Sequence, residues 1–496
     1  MEPLNRSTFP SLAQIGVSAP PTPGMIHLGL GNFHRAHTAV YTARAMEAAG
    51  GDWGISAYGH RSRGVVDAMT TQDGLYSVLQ LSPQGESAQV VDVHRRFGVL
   101  TEDPAAVVAE IADPARRILT LTVSEGGYGW SPNAQGLDLE DPAIRADLAA
   151  GKGAGAGSGE APRTVIGTIA RGIERRAASG EPITIQSCDN LQGNGDVARA
   201  VVTQFLQEAG ADEDVLRFAR TRVGFPNSMV DRIVPSTTDD TRRSVERLLG
   251  VRDDAPVRTE EFTMWVMQED HPGGRPGWEA AGAVISDQVD RYELVKLRLV
   301  NASQSLLAYL GVLQGTPTIP GTWQRPAVQD TVLAQIRRDA LPTIPLPNGL
   351  DPEEYIASLV LRWENAPLAD STSRIASLGS IRLPQRIPVA ALQHLREGRM
   401  PHVFALLVAG WIATIVQPEG VTVTREMEAV DEPARERILQ AVGSATAPRE
   451  IVRKVLDAGF LGLDLPREEA FTDRVGELLE VIARHGIEAA MKDAVG

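Results

Sequence analysis

The chain has 496 residues, 43% hydrophobic and 22% charged, with 47 Gly, 32 Pro and one Cys. Those proportions exclude a disordered, collagen-like or coiled-coil chain, and the length asks for two large domains or three small ones. Acidic residues outnumber basic ones by 63 to 48 without a long Lys/Arg block, which disfavours nucleic acid as a partner, because a polyanion needs a basic footprint.

Cys188 stands alone, so no internal disulfide can form, and no Cys/His cluster has zinc-site spacing. A reducing compartment and no metal site are expected. Residues 1–6 lack the basic-then-apolar order of a signal peptide. The longest apolar run, 403–416, falls short of the roughly 20 residues that cross a bilayer. It reads as a buried core helix, and the expected address is the cytoplasm, with no membrane partner.

In chain order, residues 25–28 form a short apolar strand that runs into Gly29-Leu30-Gly31, and a helix follows over 36–49. Further strands are expected at 53–59, 87–93, 117–123 and 182–187, each bounded by Gly, Asn, Asp or Pro. Strands alternating with helices imply a parallel sheet covered on both faces. The run GKGAGAGSG at 151–159 reads as a plain flexible loop; its lysine comes too early for a phosphate loop. From about Asp287 helical patterns dominate, over 291–311, 355–364, 389–397, 402–416 and 471–492. The expected division is an α/β domain over 1–286 and a mostly α-helical domain over 287–496.

The glycine turn after a strand and before a helix is the setting a dinucleotide pyrophosphate requires. Glycines allow close backbone approach, and the helix start offers free N–H groups. The third glycine of the usual fingerprint is replaced by His34. Gly29, Gly31, Asn32 and Phe33 are the candidate cofactor contacts. After the second strand no acid stands ready for ribose hydroxyls; the chain reads His60-Arg61-Ser62-Arg63. Arg61 and Arg63 either receive a 2′-phosphate or are simply solvated, so NAD and NADP both remain open.

The segment 291–311 is apolar all round, which marks a buried helix. At about 100° per residue, Lys296, Glu293, Gln304 and Asn301 fall near 0°, 60°, 80° and 140°, one arc of that helix. Polar groups there must be paired or used. The residues admit a structural Lys296–Glu293 pair, or a general base whose pKa desolvation lowers, with Asn301 as amide donor. The Tyr292-x-x-x-Lys296 spacing also fits short-chain dehydrogenases, but the glycine turn lies a whole short-chain enzyme upstream and lacks their spacing.

Taken together the chain resembles the mannitol dehydrogenase family of polyol-specific long-chain dehydrogenases and reductases. The matching stretches are IHLGLGNFHRAH (26–37), QDGLY (72–76), LTLTVSEGGY (119–128), SCDNLQGNG (187–195) and FPNSMVDRIVP (225–235). KLRLVN (296–301), LAYLG (307–311) and LPQR (383–386) complete the set. The resemblance implies a Rossmann-type domain, a helical C-terminal domain, and a cleft between them for metal-free, NAD(P)-dependent interconversion of a secondary alcohol and a ketone on an open-chain sugar. It implies Lys296 as general acid/base and Asn190 with Asn301 as an oxyanion-type hole. Asp231 and Glu293 become further active-site carboxylates, and Arg374 and Arg382 substrate contacts. Where the family places a substrate-contacting histidine, this chain has Gln304. The implied substrates are a polyol, ketose or keto-uronate, of the mannitol/fructose or mannonate/fructuronate type, handled by a monomer or small homo-oligomer. A hexitol phosphate is a third substrate option, and a nucleotide- or sugar-binding protein that has lost turnover is the alternative that Gln304 raises.

Overall fold

Strand β1 (Pro23–Leu28) is buried from Gly24 to Leu28 with no exposed face, as a central parallel strand must be. The coordinates are a computed structural model that describes residues 1–8, 14–16, 23–132, 134–151 and 161–496. The chain divides into two compact units, Met1–Asp290 and Arg291–Gly496.

In the first unit β1 leads into α1 (Asn32–Ala36) and α2 (Thr38–Ala49), separated by His37 at φ −122°, ψ −86°. Strand β2 (Gly54–Gly59) and α3 (Gly64–Thr71) follow, then a hairpin of β3 (Tyr76–Ser82) and β4 (Gly85–Val91). Next come β5 (His94–Val99), α4 (Pro104–Ala112), β6 (Ile118–Leu121), α5 (Val165–Arg176), β7 (Ile183–Ser187), α6 (Asn194–Glu208) and β8 (Val223–Gly224). Six of these strands make one sheet in the order β8-β7-β6-β1-β2-β5, every pair parallel. The chain moves outward from β1 to β5, then returns to the other side of β1 at β6. That reversal opens a crevice at the carboxyl ends of β1 and β6, where doubly wound folds bind ligands. The expected α/β class with a Rossmann-type first domain is borne out.

The strand expected at 87–93 belongs elsewhere. It is β4, antiparallel to β3 from Tyr76↔Val91 to Ser82↔Gly85, in a separate four-stranded sheet. Pro83 and Gln84 make a two-residue connection, too short for the crossover that parallel pairing demands. The helix expected from residue 36 begins at Asn32, so the glycine turn opens directly into helix. The run 152–159 lies outside the described residues. Strand β9 (Ser228–Asp231) pairs with β10 (Met264–Met267) in a third sheet.

In the second unit the described residues form helices and turns. Helix α7 (Val289–Val295) continues as a π-helical turn (Lys296–Asn301) and then α8 (Ala302–Leu313). A second π-turn (Gln335–Ala340) presents Asp339, whose carboxylate accepts the Val403 and Phe404 N–H groups, each at 2.8 Å. Those bonds satisfy the first turn of α10 (His402–Val416), buried from Val403 to Ile415, which therefore tolerates a wholly apolar surface. Helix α9 (Gly379–Arg386) packs beside the first π-turn. The helix expected over 471–492 is two, Glu469–His485 and Ile487–Val495, because Gly486 at φ +79° breaks it. No described helix is long and apolar enough to cross a membrane.

Candidate active site

At the end of β1, Gly29 has φ +105°, and a Cβ there would lie 2.0 Å from the Thr122 carbonyl oxygen. Only glycine lets β1 and the end of β6 meet. Gly31 differs: it is exposed, and a Cβ would meet only the Gly29 oxygen, at 3.7 Å. The space over Gly31 is open, and the fold itself does not demand glycine there. Asn32 and Phe33 are half-buried; Asn32 Oδ1 accepts from Arg35 Nη2 at 2.7 Å, and the Phe33 ring stacks on His37 at 4.9 Å. Beneath the turn, His27 Nε2 donates to the Gly29 oxygen at 2.9 Å, and its ring stacks on His34 at 3.4 Å. Burial pushes the His27 imidazole down to about 3, so a neutral ring supports the turn.

Beyond β2, Arg61 is exposed and makes no ion pair among the described residues. Arg63 pairs with Asp67 at 3.3 Å and with Glu102. The two arginines of this segment therefore differ in availability.

The loop after β7 starts at Cys188, a buried thiol that burial pushes up and keeps unreactive. The next carboxylate, Asp189, accepts Val123 N–H at 3.0 Å, Ser124 N–H at 2.9 Å and the Tyr128 hydroxyl at 2.8 Å. It ties the loop after β6 to the loop after β7. Burial pushes the Asp189 carboxyl up against the pull of those bonds. Asn190 follows, exposed at the strand's carboxyl end. Asp189 was not singled out from the sequence; its place between Cys188 and Asn190 was the only signal. Asp231 is buried at the end of β9.

In the second unit, Glu293, Lys296, Asn301 and Gln304 are half-buried, with Leu294 and Leu297, along a segment otherwise buried from Val295 to Val312. A straight α-helix would set Lys296 and Asn301 about 140° apart. The π-turn closes i→i+5, so these two residues, five apart, share a face as i and i+4 do in an α-helix. The Asn301 carboxamide makes no hydrogen bond among the described residues.

The arginines of the next segment each have a partner. Arg374 is ion-paired to Asp370. Arg382 Nη1 donates to the Ile375 and Ser377 carbonyls, each at 3.1 Å. Arg386 Nη1 donates to the Asn301 carbonyl at 3.0 Å. Among the described residues no group of three or more His, Cys, Asp or Glu side chains has metal-binding geometry.

Comparison with known proteins completes the picture. Residues 23–280 match the mannitol dehydrogenase Rossmann domain, and residues 288–483 the mannitol dehydrogenase C-terminal domain. A polyol:NADP oxidoreductase of Gluconobacter oxydans is 35% identical over 77% of this chain and 78% of its own. A mannitol 2-dehydrogenase of Pyrenophora tritici-repentis is 32% identical over 99% of this chain and 84% of its own. The solved structure of Pseudomonas fluorescens mannitol 2-dehydrogenase, a ternary complex with NAD and D-mannitol, aligns with TM-score 0.84 and 29% identity over 99% of both chains. With both halves matched, the chain belongs to the mannitol dehydrogenase family.

Proposed function

We propose that the protein is an NAD(P)-dependent oxidoreductase that interconverts a secondary alcohol and a ketone on an open-chain polyol. Residues 1–286 serve as the nucleotide domain and 287–496 as the domain carrying the general base. The observation that carries this reading is the polar stripe of Glu293, Lys296, Asn301 and Gln304 on an otherwise buried helix, in a chain whose relatives act on polyols with NAD or NADP.

The glycine turn fits a dinucleotide. Gly31 is exposed, with open space where a side chain would project, and α1 begins at the next residue. Gly29, Gly31, Asn32 and Phe33 would hold the pyrophosphate, and the nicotinamide ring supplies the hydride acceptor when bound. Lys296 takes the hydroxyl proton during oxidation and returns it during reduction. Asn190 and Asn301 donate N–H groups to the oxygen as alkoxide character develops. Glu293 serves the proton path to Lys296, and Asp231 and Arg382 contact the sugar chain. Gln304 can donate a hydrogen bond but cannot shuttle a proton as imidazole does, so it orients the substrate. With Arg374 neutralised by Asp370, the favoured substrate is a neutral polyol or ketose rather than a sugar acid.

The test is oxidation of NADH and NADPH with a panel of ketoses and keto-uronates. Fructose-type ketoses are expected to exceed fructuronate in kcat/KM, and the absence of turnover on every member would contradict the reading. Gly31→Ala should leave Tm unchanged and weaken NADH binding at least about tenfold, because the added methyl sits where the pyrophosphate approaches. A parental dissociation constant, measured by fluorescence titration, would remove Gly31 from the cofactor site.

Arg61 sets cofactor choice. Its unpaired guanidinium, with no acid beside it, suits a 2′-phosphate. Arg61→Ala should weaken NADPH binding roughly 10–100-fold, the scale of a charge-assisted bond, and leave NADH within about twofold. Equal losses for both cofactors would assign that arginine no role in selection.

A further inference from the structure

The π-turn that carries Lys296 and Asn301 is held from the side by a cation. Arg386, the last residue of α9, is half-buried. Its Nη1 donates to the Asn301 carbonyl at 3.0 Å and to Ser305 Oγ at 2.5 Å. No carboxylate pairs with it among the described residues. Burial, reinforced by the neighbouring Arg382, pushes it down to about 10, so it remains a cation at neutral pH. Withdrawing a cation from water without a counter-ion is costly, and this one places its charge on the turn's backbone.

The rest of the turn is secured in the same way. Ser303 Oγ donates to the Leu299 carbonyl and, at 3.1 Å, to that of Val300. Ser305 Oγ donates to the Asn301 carbonyl at 3.1 Å. Three successive carbonyls thus receive side-chain donors at the junction of π-turn and α-helix. On another flank, Arg298, itself in the turn, donates to the Thr343 carbonyl. A widened turn is rare and unstable without such support. Relaxed to α-helix, it would carry Lys296 and Asn301 from one face to about 140° apart.

We propose that Arg386 is a positioning residue. Through the Asn301 carbonyl and the Ser305 hydroxyl it keeps the π-turn in the register that sets Lys296 and Asn301 side by side. The proposal rests on the roles given to Lys296 and Asn301 above. It also takes Arg386 away from the substrate-gripping role that its neighbours Arg374 and Arg382 suggest.

The experiment compares Arg386→Met, Arg386→Lys, Ser305→Ala and Lys296→Ala in the full chain, measuring kcat, NADH affinity and the pH profile of alcohol oxidation. Arg386→Met should lower kcat roughly 10²-fold, the scale for a reacting group displaced by about 1 Å, with NADH affinity within about twofold. The pH of half-maximal oxidation should rise in Arg386→Met, because losing a cation one turn from Lys296 favours the ammonium form. Arg386→Lys keeps the charge and should hold that midpoint while recovering part of kcat. If Arg386→Met does not fold, Ser305→Ala decides: a fall in kcat of about threefold or more at parental NADH affinity supports the proposal. A parental kcat in the deciding variant, with Lys296→Ala inactive, overturns the positioning role and leaves the site reading standing. Retained turnover in Lys296→Ala overturns the site reading itself.

Discussion

Lys296→Ala should lose roughly 10²–10⁴-fold in kcat, the contribution of a positioned general acid/base, while NADH binds within about twofold of the parent. The expectation follows from position. Lys296 opens the π-turn and is one of the few part-exposed side chains on a helix whose other faces are buried. On the proposed reading, removing its amine deletes the proton acceptor for the alcohol and leaves the residues proposed to hold the cofactor unchanged. Steady-state kinetics with saturating cofactor check this, and the loss should appear in kcat and kcat/KM together. A variant that loses only KM would make Lys296 a substrate contact.

Asn301→Ala is expected to cost roughly 10²–10³-fold in kcat, the scale for one preorganised oxyanion donor. Its carboxamide has no hydrogen bond among the described residues, so truncation should leave folding stability within about 0.5 kcal/mol. Its backbone carbonyl, which receives Arg386, is unchanged by the substitution. That separation makes the variant a clean probe of transition-state stabilisation. Asn190→Ala should fall by a similar factor. If both amides serve one oxygen, the double variant should depart from the product of the single losses. Parental kcat in Asn301→Ala, with Tm also parental, would remove that amide from the chemistry.

The central strands were legible because parallel strands buried on both faces are rich in apolar residues, as Met25, Ile26 and Leu28 in one and Ile183 and Ile185 in another show. Strand β4 was placed in the wrong sheet because a short run of this kind does not declare its partner. The length of the preceding turn was the better guide. The buried helix and its polar arc were read from composition, but the reading assumed a uniform 3.6-residue turn. Serines at 303 and 305 and an arginine 85 residues along the chain support the π-turn, and no local pattern announces such remote support. The partners of Arg374 and Arg386 were equally invisible, because a sequence shows guanidinium groups without the groups they bond. The absence of an acid after β2 was plain from the sequence. Which of the two nearby arginines is unpaired required coordinates.

The most direct measurement is isotopic. Reduction of fructose with NADH or NADPH carrying deuterium at C4 of the nicotinamide should place one deuterium on the new carbinol carbon, with the hydroxyl proton drawn from solvent. Product NMR would show loss of the carbinol proton signal, from one C4 face of the cofactor only, and Lys296→Ala should form labelled product far more slowly. Turnover that leaves the carbinol carbon unlabelled, with either cofactor and from either face, would contradict hydride transfer by this protein.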